Sequence, residues 1–574
     1  KLIEFHKKIS QLKFLDPACG CGNFLVITYR ELRLLEIDIL RVLNKSGQGV
    51  LDVRDIIWLD VDMMYGIEYE EFPARIAEVA MWLMDHQMNM LISNEFGQYF
   101  VRLPLRKSAN IIHGNALRIE WSQIIEKFKL SYIIGNPPFI GHQWRTAEQA
   151  SDMDLVFKDA KRSGRLDYVC AWFLKASKFI QETKIKVAFV TTNSIVQGEQ
   201  TGILWKDLFQ NFGIKIHFAH RTFSWSNEAK GNAAVHVVII GFGNYDVQNK
   251  AIYDYEKLDG EAFIIKAKNI NGYLTDAKDI FITSRGLPIH KFSPMFKGSQ
   301  PTDGGHLILT PEEKDKLVKD EPKVEPWIRP FIGGYEFMNG AERYCLWLKN
   351  CPPETLNELP LTLGRLKQVS KARLESSTPS VRLMAKFPAL FTQDRQPDTP
   401  YLALPEVSSI NRQYIPIGFL NPHTICSNKL QIIPDGSLYL FGILMSTMHM
   451  AWTRAICGKL KSDYSYSPAV YNNFPFPINP TKQQVETIER HSQSILDTRL
   501  KFQSSSLSDL YNPLTMPFDL VKAHQALDKV VDTAYRSAMF NNEASRMEFL
   551  FQLYEKYTAD LFTKEKTKKK TVAK

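Results

Sequence analysis

No apolar run in this 574-residue chain is long enough to cross a bilayer. Stretches such as Leu438 to Met445 fall well short of the ~20 residues that a spanning helix needs. The first residues carry no apolar secretory segment, and the chain begins at Lys1 without a methionine. It therefore reads as a fragment, or a chain whose upstream part is missing, rather than an exported protein. Cysteine is scarce: seven residues, an odd number scattered along the chain, which excludes a disulfide framework and argues for a reducing cytoplasm. Cys19 and Cys21 stand close together, but no second pair or histidine partner has ligand spacing, so they read as small loop residues and no metal is expected. Neither an internal repeat nor a low-complexity segment occurs before the last few residues. Charge of one sign is not dominant either, the net value of +9 being compatible with a polyanion without deciding for one. What remains is a large, soluble protein with material for several cores.

The most informative stretch present is Ile133-Ile134-Gly135-Asn136-Pro137-Pro138-Phe139. Its apolar start suits a buried strand, and the two prolines then force an extended turn that no helix can absorb. Such a turn sets the Asn136 amide oxygen and the Pro137 carbonyl as a rigid pair of acceptors, with the Phe139 ring beside them. Two acceptors facing one amino group take its two protons and leave the nitrogen lone pair aimed at an electrophile, without a strong base. A planar, amino-bearing base stacked on Phe139 is the substrate this suits. A plain Pro-Pro turn after a strand is the alternative that the tetrapeptide alone leaves open.

A second stretch lies more than a hundred residues earlier. Phe14-Leu15-Asp16-Pro17-Ala18-Cys19-Gly20-Cys21-Gly22-Asn23-Phe24-Leu25 opens as a short strand and closes into an apolar-periodic helix reaching about Val42. Gly20 and Gly22 lie in the loop between, where a backbone can approach a ligand closely. This order of motifs resembles that of the amino-group DNA methyltransferases. The resemblance implies that the first motif, Asp16, Ala18, Gly20 and Gly22, binds S-adenosyl-L-methionine, while Asn136 to Phe139 hold the target amine. It also implies that Glu68, in Met64-Tyr65-Gly66-Ile67-Glu68-Tyr69, accepts from both ribose hydroxyls, with Tyr69 or Ile67 on the adenine face. Glu68 stands well beyond the roughly 20 residues usual after such a loop, and 44–62 reads as an insertion. Asn115, in Ile111 to Leu117, falls where the family often has Asp against the cofactor adenine; an amide still accepts from an amino group but carries no charge. A solvated acid and a turn former are the alternative readings of Glu68 and Asn115. Phe223 matches the aromatic that packs on an extruded base, with Trp225 the runner-up and plain core the alternative.

Strands and helices alternate up to about Phe242, which predicts an α/β sheet with its ligand sites at the carboxyl ends of the strands. The strands near Ile214 and Val235 are close enough to form an antiparallel hairpin, as the family's reversed last strand requires. The fold class expected is thus a class I, Rossmann-like S-adenosylmethionine-dependent methyltransferase sheet, followed by a mixed α+β domain and a C-terminal helical segment. Turn-rich, β-like segments follow from Trp327 to Leu348, Tyr401 to Leu420 and Ser427 to Pro434. On Trp327 to Leu348, Pro405 to Arg412, and Tyr464 to Ser467 through Tyr471 to Pro477, this region resembles the target-recognition domain of single-chain restriction–modification methyltransferases, type IIG and especially the type IIL subgroup. The expected division is 1–245 methyltransferase, 246–297 connector, 298–480 target recognition, 481–560 helical segment and 561–574 a basic disordered tail. The likeness covers nearly all residues from 13 to about 540.

Double-stranded DNA is the partner the resemblance implies, and base flipping to an adenine N6 the reaction. Amino-methylating cytosine enzymes of the related kind usually have Ser at the Asn136 position. An RNA or protein-glutamine target, or a noncatalytic DNA specificity subunit, remains the alternative. Between Leu361 and Leu390 there are six basic residues and one acid, and Arg365, Lys367, Lys371 and Arg373 are expected as a phosphate-contacting stripe on a helix. A solvated face is the bland reading of the same run. In Gly458 to Tyr464, Lys461 and Asp463 are two apart; on an extended segment they share a face and suit guanine and cytosine of one base pair. The alternative there is a surface ion pair of little worth. The motif that closes the cofactor pocket upstream of the glycine loop in this family is absent, as is its upstream nuclease domain, so cleavage is not assigned.

Overall fold

A computed structural model describes residues 1–43, 53–100, 108–158, 163–225, 235–255, 257, 259–460 and 463–572. The chain divides into two compact units, Lys1–Phe281 and Ile282–Lys574.

In the first unit nine strands form one sheet: β1 (Phe14–Asp16), β2 (Met64–Glu68), β3 (Asn110–His113), β4 (Tyr132–Gly135), β5 (Lys186–Thr192), β6 (Lys215–Trp225), β7 (Val235–Gly243), β8 (Lys250–Tyr255) and β9 (Ala262–Ala267). Their order is β3-β2-β1-β4-β5-β7-β6-β8-β9. The first five run parallel, while β7 inserts antiparallel between β5 and β6. Alternation of side chains across the sheet feeds two cores: Phe14 and Met64 pack on one, Leu15, Ile67 and Ile133 on the other. Strand β1 has β2 on one side and β4 on the other, in register Leu15↔Tyr65 and Leu15↔Ile133. Chain order reverses there, so the loops leaving β1 and β4 open a crevice at their carboxyl ends.

Helices α1 (Leu2–Ser10), α2 (Asn23–Leu43), α3 (Glu71–Phe96), α4 (Ala147–Val156), α5 (Cys170–Phe179) and α6 (Gly198–Asn211) complete the unit. Helix α4 begins at a capping box in which Thr146 accepts from Gln149 N and the Gln149 side chain accepts from Thr146 N. Helix α5 is buried along Cys170 to Leu174, where these residues join the core that also holds Leu15, Ile133 and Val187. Strands β8 and β9 lie within the stretch expected as a connector; alternating apolar residues such as Ile252 and Ile265 let it extend the sheet instead.

Among its described residues the second unit holds two four-stranded sheets and a three-stranded one. Phe296–Lys297, Leu430–Pro434, Tyr401–Pro405 and Gly418–Leu420 form the first, wholly antiparallel. Ile308–Leu309, Tyr344–Leu346, Ile328–Ile332 and Ile425–Cys426 form the second. The β-like reading of Trp327 to Phe337 gives way to a short helix, Gly334–Asn339, after the strand. Helices Lys482–Leu500 and Phe518–Tyr535 follow, and Glu543–Val572 runs through most of the stretch expected as a disordered tail. Lysine and glutamate are good helix formers, so a charged run can prolong a helix that already has a packed start. Residues 573 and 574 lie outside the described residues.

Candidate active site

The glycine loop follows β1 directly. Gly20 and Gly22 have φ of +54° and +86°, the left-handed region that glycine enters without strain. A side chain at Gly22 would also come within 3.1 Å of Ala77 on α3. Glu68 ends β2, and its two carboxylate oxygens accept from Gly20 N (2.8 Å) and Glu70 N (3.0 Å). The acid and the loop thus hold each other across the crevice.

Asp16 is buried at the end of β1, where its Oδ1 accepts from Ala18 N at 3.0 Å and its Oδ2 has no hydrogen-bond partner. Burial pushes its carboxyl up to about 7; the Ala18 bond opposes this and the neighbouring Glu68 charge adds to it. Gly135, the last residue of β4, has its backbone against that carboxylate: a Cβ there would stand 2.5 Å from Asp16 Oδ1. The close approach of β4 to Asp16 therefore requires glycine immediately before Asn136.

A cavity of about 520 Å³ opens over these strand ends. Pro17, Ala18, Gly20, Glu68, Asn115, Asn136 and Pro138 line it, together with Tyr69, Thr146, Glu148, Asp152, Tyr168 and Trp172. The crevice therefore brings together Ala18, Gly20, Glu68, Tyr69, Asn115, Asn136 and Pro138 of the residues named from the sequence. Asp16 and Pro137 are buried, Ile67 belongs to the core, and Phe139 is half-buried; none of these lines the cavity. The Asn136 loop is stapled at its far end, where Tyr168 N donates to Ile140 O (2.9 Å) and His142 N to Asp167 Oδ1 (3.1 Å). Phe223 lies on β6 in a group of rings, stacked on Tyr255 with centroids 5.1 Å apart, and is likewise not among the lining residues.

Asp152, Tyr168 and Trp172 escaped the sequence reading. The spacing of Tyr168 and Trp172 by four places them on one face of a helical stretch, which was a usable signal; Asp152 offered none. Tyr69, on the loop after β2, donates to Glu148 Oε2 at 3.2 Å across the mouth. Asn115 is engaged locally: its Oδ1 accepts from Leu117 N and its Nδ2 donates to Asp152. Among the described residues no group of three or more His, Cys, Asp or Glu could hold a metal ion, and no helix is long and apolar enough to cross a membrane.

The charges expected to contact DNA do not form one stripe. Arg373 is fully buried in the helix Pro360–Leu374 and donates to five carbonyls, those of Pro301, Thr302, Met384, Phe387 and Leu390. It is a brace between loops, a correction of the phosphate role expected for it: five fixed donors on one planar group satisfy carbonyls that strands and helices leave over. Arg365 is held by His306 O and Glu313, whereas Lys367 and Lys371 are exposed one turn apart. Gly458–Leu460 and Asp463–Ser465 are antiparallel strands with Leu460 opposite Asp463, so Gly458 to Tyr464 is not a single extended segment. The Asp463 carboxylate accepts from Ile410 N at 3.3 Å. Lys461 lies outside the described residues.

A mainly parallel sheet with the reversed strand β7 inserted between β5 and β6, a glycine loop after β1, an acid at the end of β2 and Asn-Pro-Pro-Phe after β4, defines the class I methyltransferase fold. Residues 1–254 match the MmeI DNA-methyltransferase domain, 276–478 the MmeI target recognition domain and 479–562 the MmeI C-terminal domain. The chain is 41% identical over 566 residues to DNA methyltransferase A of Bacillus subtilis strain 168, in an alignment of 97% of this chain with 63% of that protein. It is also similar to a solved structure of the type IIL restriction–modification enzyme MmeI in complex with DNA. There the TM-score is 0.89 and the identity 50%, over 97% of this chain and 74% of that one. The chain belongs to the MmeI family. It spans less than two thirds of the Bacillus protein's length.

Proposed function

We propose that this chain methylates DNA site-specifically at the N6 amino group of a flipped adenine, with S-adenosyl-L-methionine as donor and residues 298–480 reading the duplex. The observation that carries the reading is that Asn136 and Pro138 line the same cavity as Gly20 and Glu68. An amine acceptor and a ribose-binding acid then share one chamber.

The residues present fit the cofactor. Glu68 offers a carboxylate to adjacent hydroxyls, and the unpartnered Oδ2 of buried Asp16 suits the cofactor's amino group. Bound there, the cofactor supplies a methyl group on a sulfonium, which needs only an oriented nucleophile. Asn136 and the Pro137 carbonyl accept hydrogen bonds from the two amino N–H groups, which turns the nitrogen lone pair toward the electrophile. With Glu68 and Asp16 holding the cofactor, transfer would need no further catalyst: the sulfonium would give up its methyl to the amine and keep the electron pair of the broken S–C bond. The methylated amine keeps its hydrogen bonds to the Asn136 side-chain oxygen and the Pro137 carbonyl until its surplus proton is lost to water. The Gly135 contact with Asp16 couples the two halves, because the strand that presents Asn136 also walls the pocket that holds Asp16.

The reading is tested by digesting radiolabelled product to nucleosides. Methyl on adenine is expected. Label on cytosine, on RNA or on protein overturns the substrate. Asn136→Ala should lower methyl transfer by about 10²-fold or more, on the scale of losing one preorganised polar group, while DNA binding survives.

A further inference from the structure

Asn115 stands where the resemblance calls for a negatively charged acceptor, and an amide is an ambiguous substitute. Its oxygen accepts and its nitrogen donates, so a freely turning Asn would receive a 6-amino purine and a 6-oxo purine alike. The surroundings of Asn115 remove that ambiguity. On one side Leu117 N donates to Asn115 Oδ1 at 2.9 Å. On the other, Asn115 Nδ2 donates to Asp152 Oδ2 at 3.0 Å.

Asp152 sits in α4, one per cent exposed, and takes two further donors: Tyr168 Oη at 2.7 Å and Arg118 Nε at 2.6 Å. Burial alone would raise its carboxyl, but the bonds from Tyr168, Asn115 and Arg118 outweigh that and hold it below its ordinary value. It is therefore ionised at neutral pH and can only accept. Turning the Asn115 amide over would set oxygen against carboxylate and an NH₂ group against the Leu117 N–H, two repulsive contacts in place of two hydrogen bonds. With the amide locked, Oδ1 keeps a lone pair beyond the one Leu117 uses, and Asn115 behaves as a permanent acceptor.

We propose that Asp152 is a positioning residue that locks Asn115 as an acceptor and thereby makes the cofactor pocket choose a 6-amino over a 6-oxo purine. This rests on the reading of the cavity as the S-adenosylmethionine site. The capping box at Thr146 and Gln149 fixes the start of α4 and so the height at which Asp152 meets Asn115. Arg118 supplies the countercharge that the pocket would lack with two carboxylates side by side. The charge missing at Asn115 is carried instead by its hydrogen-bond partner Asp152.

The test compares S-adenosylhomocysteine with S-inosylhomocysteine, titrated calorimetrically into the full chain. The wild type should prefer the adenosyl compound by about 10–100-fold, the scale of leaving one buried polar group unpaired. Asp152→Asn removes one of the two contacts that oppose turning, leaving only Leu117 N–H to hold the amide, and should narrow the ratio by about threefold or more. The swap Asp152→Asn with Asn115→Asp restores an acceptor at the pocket and a donor behind it, at unchanged total charge, and should recover the preference. Tyr168→Phe removes one donor without freeing the amide, so both affinities should fall with their ratio kept. DNA binding and circular dichroism report whether each variant is folded. A single variant that does not fold leaves the swap to decide, since it preserves both hydrogen-bonding partners. An unchanged ratio in Asp152→Asn, or no recovery in the swap, overturns the inference while the cofactor reading stands. Binding of neither compound by the wild type overturns both.

Discussion

The polar residues singled out in Lys1–Phe281 largely converge, whereas those singled out for charge in Ile282–Lys574 scatter. In the first unit, Gly20, Glu68, Asn115 and Asn136 come from four separate stretches and meet around one cavity. In the second, of four basic residues on one helix, one is buried, one is paired and two face solvent. The difference is topological. A parallel sheet delivers every loop after a strand to the same edge, so a position in a motif is also a position in space. A helix lying over short antiparallel strands makes no such promise. Its arginines go wherever carbonyls are left unsatisfied, and charge alone does not say which.

Arg373→Ala would break this comparison most directly. Removing a guanidinium that satisfies five carbonyls should destabilise the second unit by about 3 kcal/mol or more, seen as a lower denaturant midpoint. Lysine should not rescue it, because three donors on a flexible stem do not match a planar fork. A variant of unchanged stability whose only defect is weaker, less salt-dependent DNA binding would return Arg373 to the phosphate-contacting role.

A middle-sized effect is expected at Asp16. Its folded-state carboxyl, at about 7, lies above its ordinary value of 3.8, so the protonated form is the one the ligand-free fold prefers. That contribution to stability is fully present below about pH 4 and is lost as pH rises through 7. Cofactor binding has the opposite sign, because an amino group needs the carboxylate; affinity should rise about tenfold from pH 6 to pH 8 as the carboxyl ionises. Asp16→Asn should flatten that profile, weaken binding, and stabilise the ligand-free protein at pH 8. Calorimetry and urea unfolding at the two pH values read both halves. A profile that stays steep in the variant would move the titration to another group.

The smallest effect belongs to Lys367→Ala with Lys371→Ala. Both are exposed, so stability should change by no more than about 0.5 kcal/mol. If they meet phosphates, the slope of log affinity against log salt should fall by roughly one to two, measured by anisotropy on a labelled duplex. An unaltered slope makes them a solvated helix face and sharpens the contrast with the first unit.

Legibility followed the kind of constraint. Asn136-Pro137-Pro138-Phe139 and the loop with Gly20 and Gly22 could be read because each residue there meets a backbone requirement that few others meet. The reversed strand β7 could be read from the short spacing of two β-like runs. The connector could be read only in part: its strand signals were mixed with helical ones, and the pairing of β8 with β6, which adds the β8–β9 hairpin to the sheet, is not carried by local pattern. Phe223 shows the same limit, since an aromatic in a strand has equal local reasons to stack on Tyr255 or on a base.

The sequence by itself determined the order of the parts: a glycine loop, an acid, an amide and an Asn-Pro-Pro-Phe turn on successive strands, then a β-rich region and helices. These are local matters of φ, of hydrogen-bonding groups and of apolar period. Only the tertiary structure decided which way Asn115 faces, why Gly135 must lack a side chain, and that Arg373 points inward. Each of those depends on a partner brought near by the fold: Asp152, Asp16, or five carbonyls from distant loops. Which unsatisfied polar group a side chain meets is settled by packing, and that is a property of the folded chain rather than of any stretch of it.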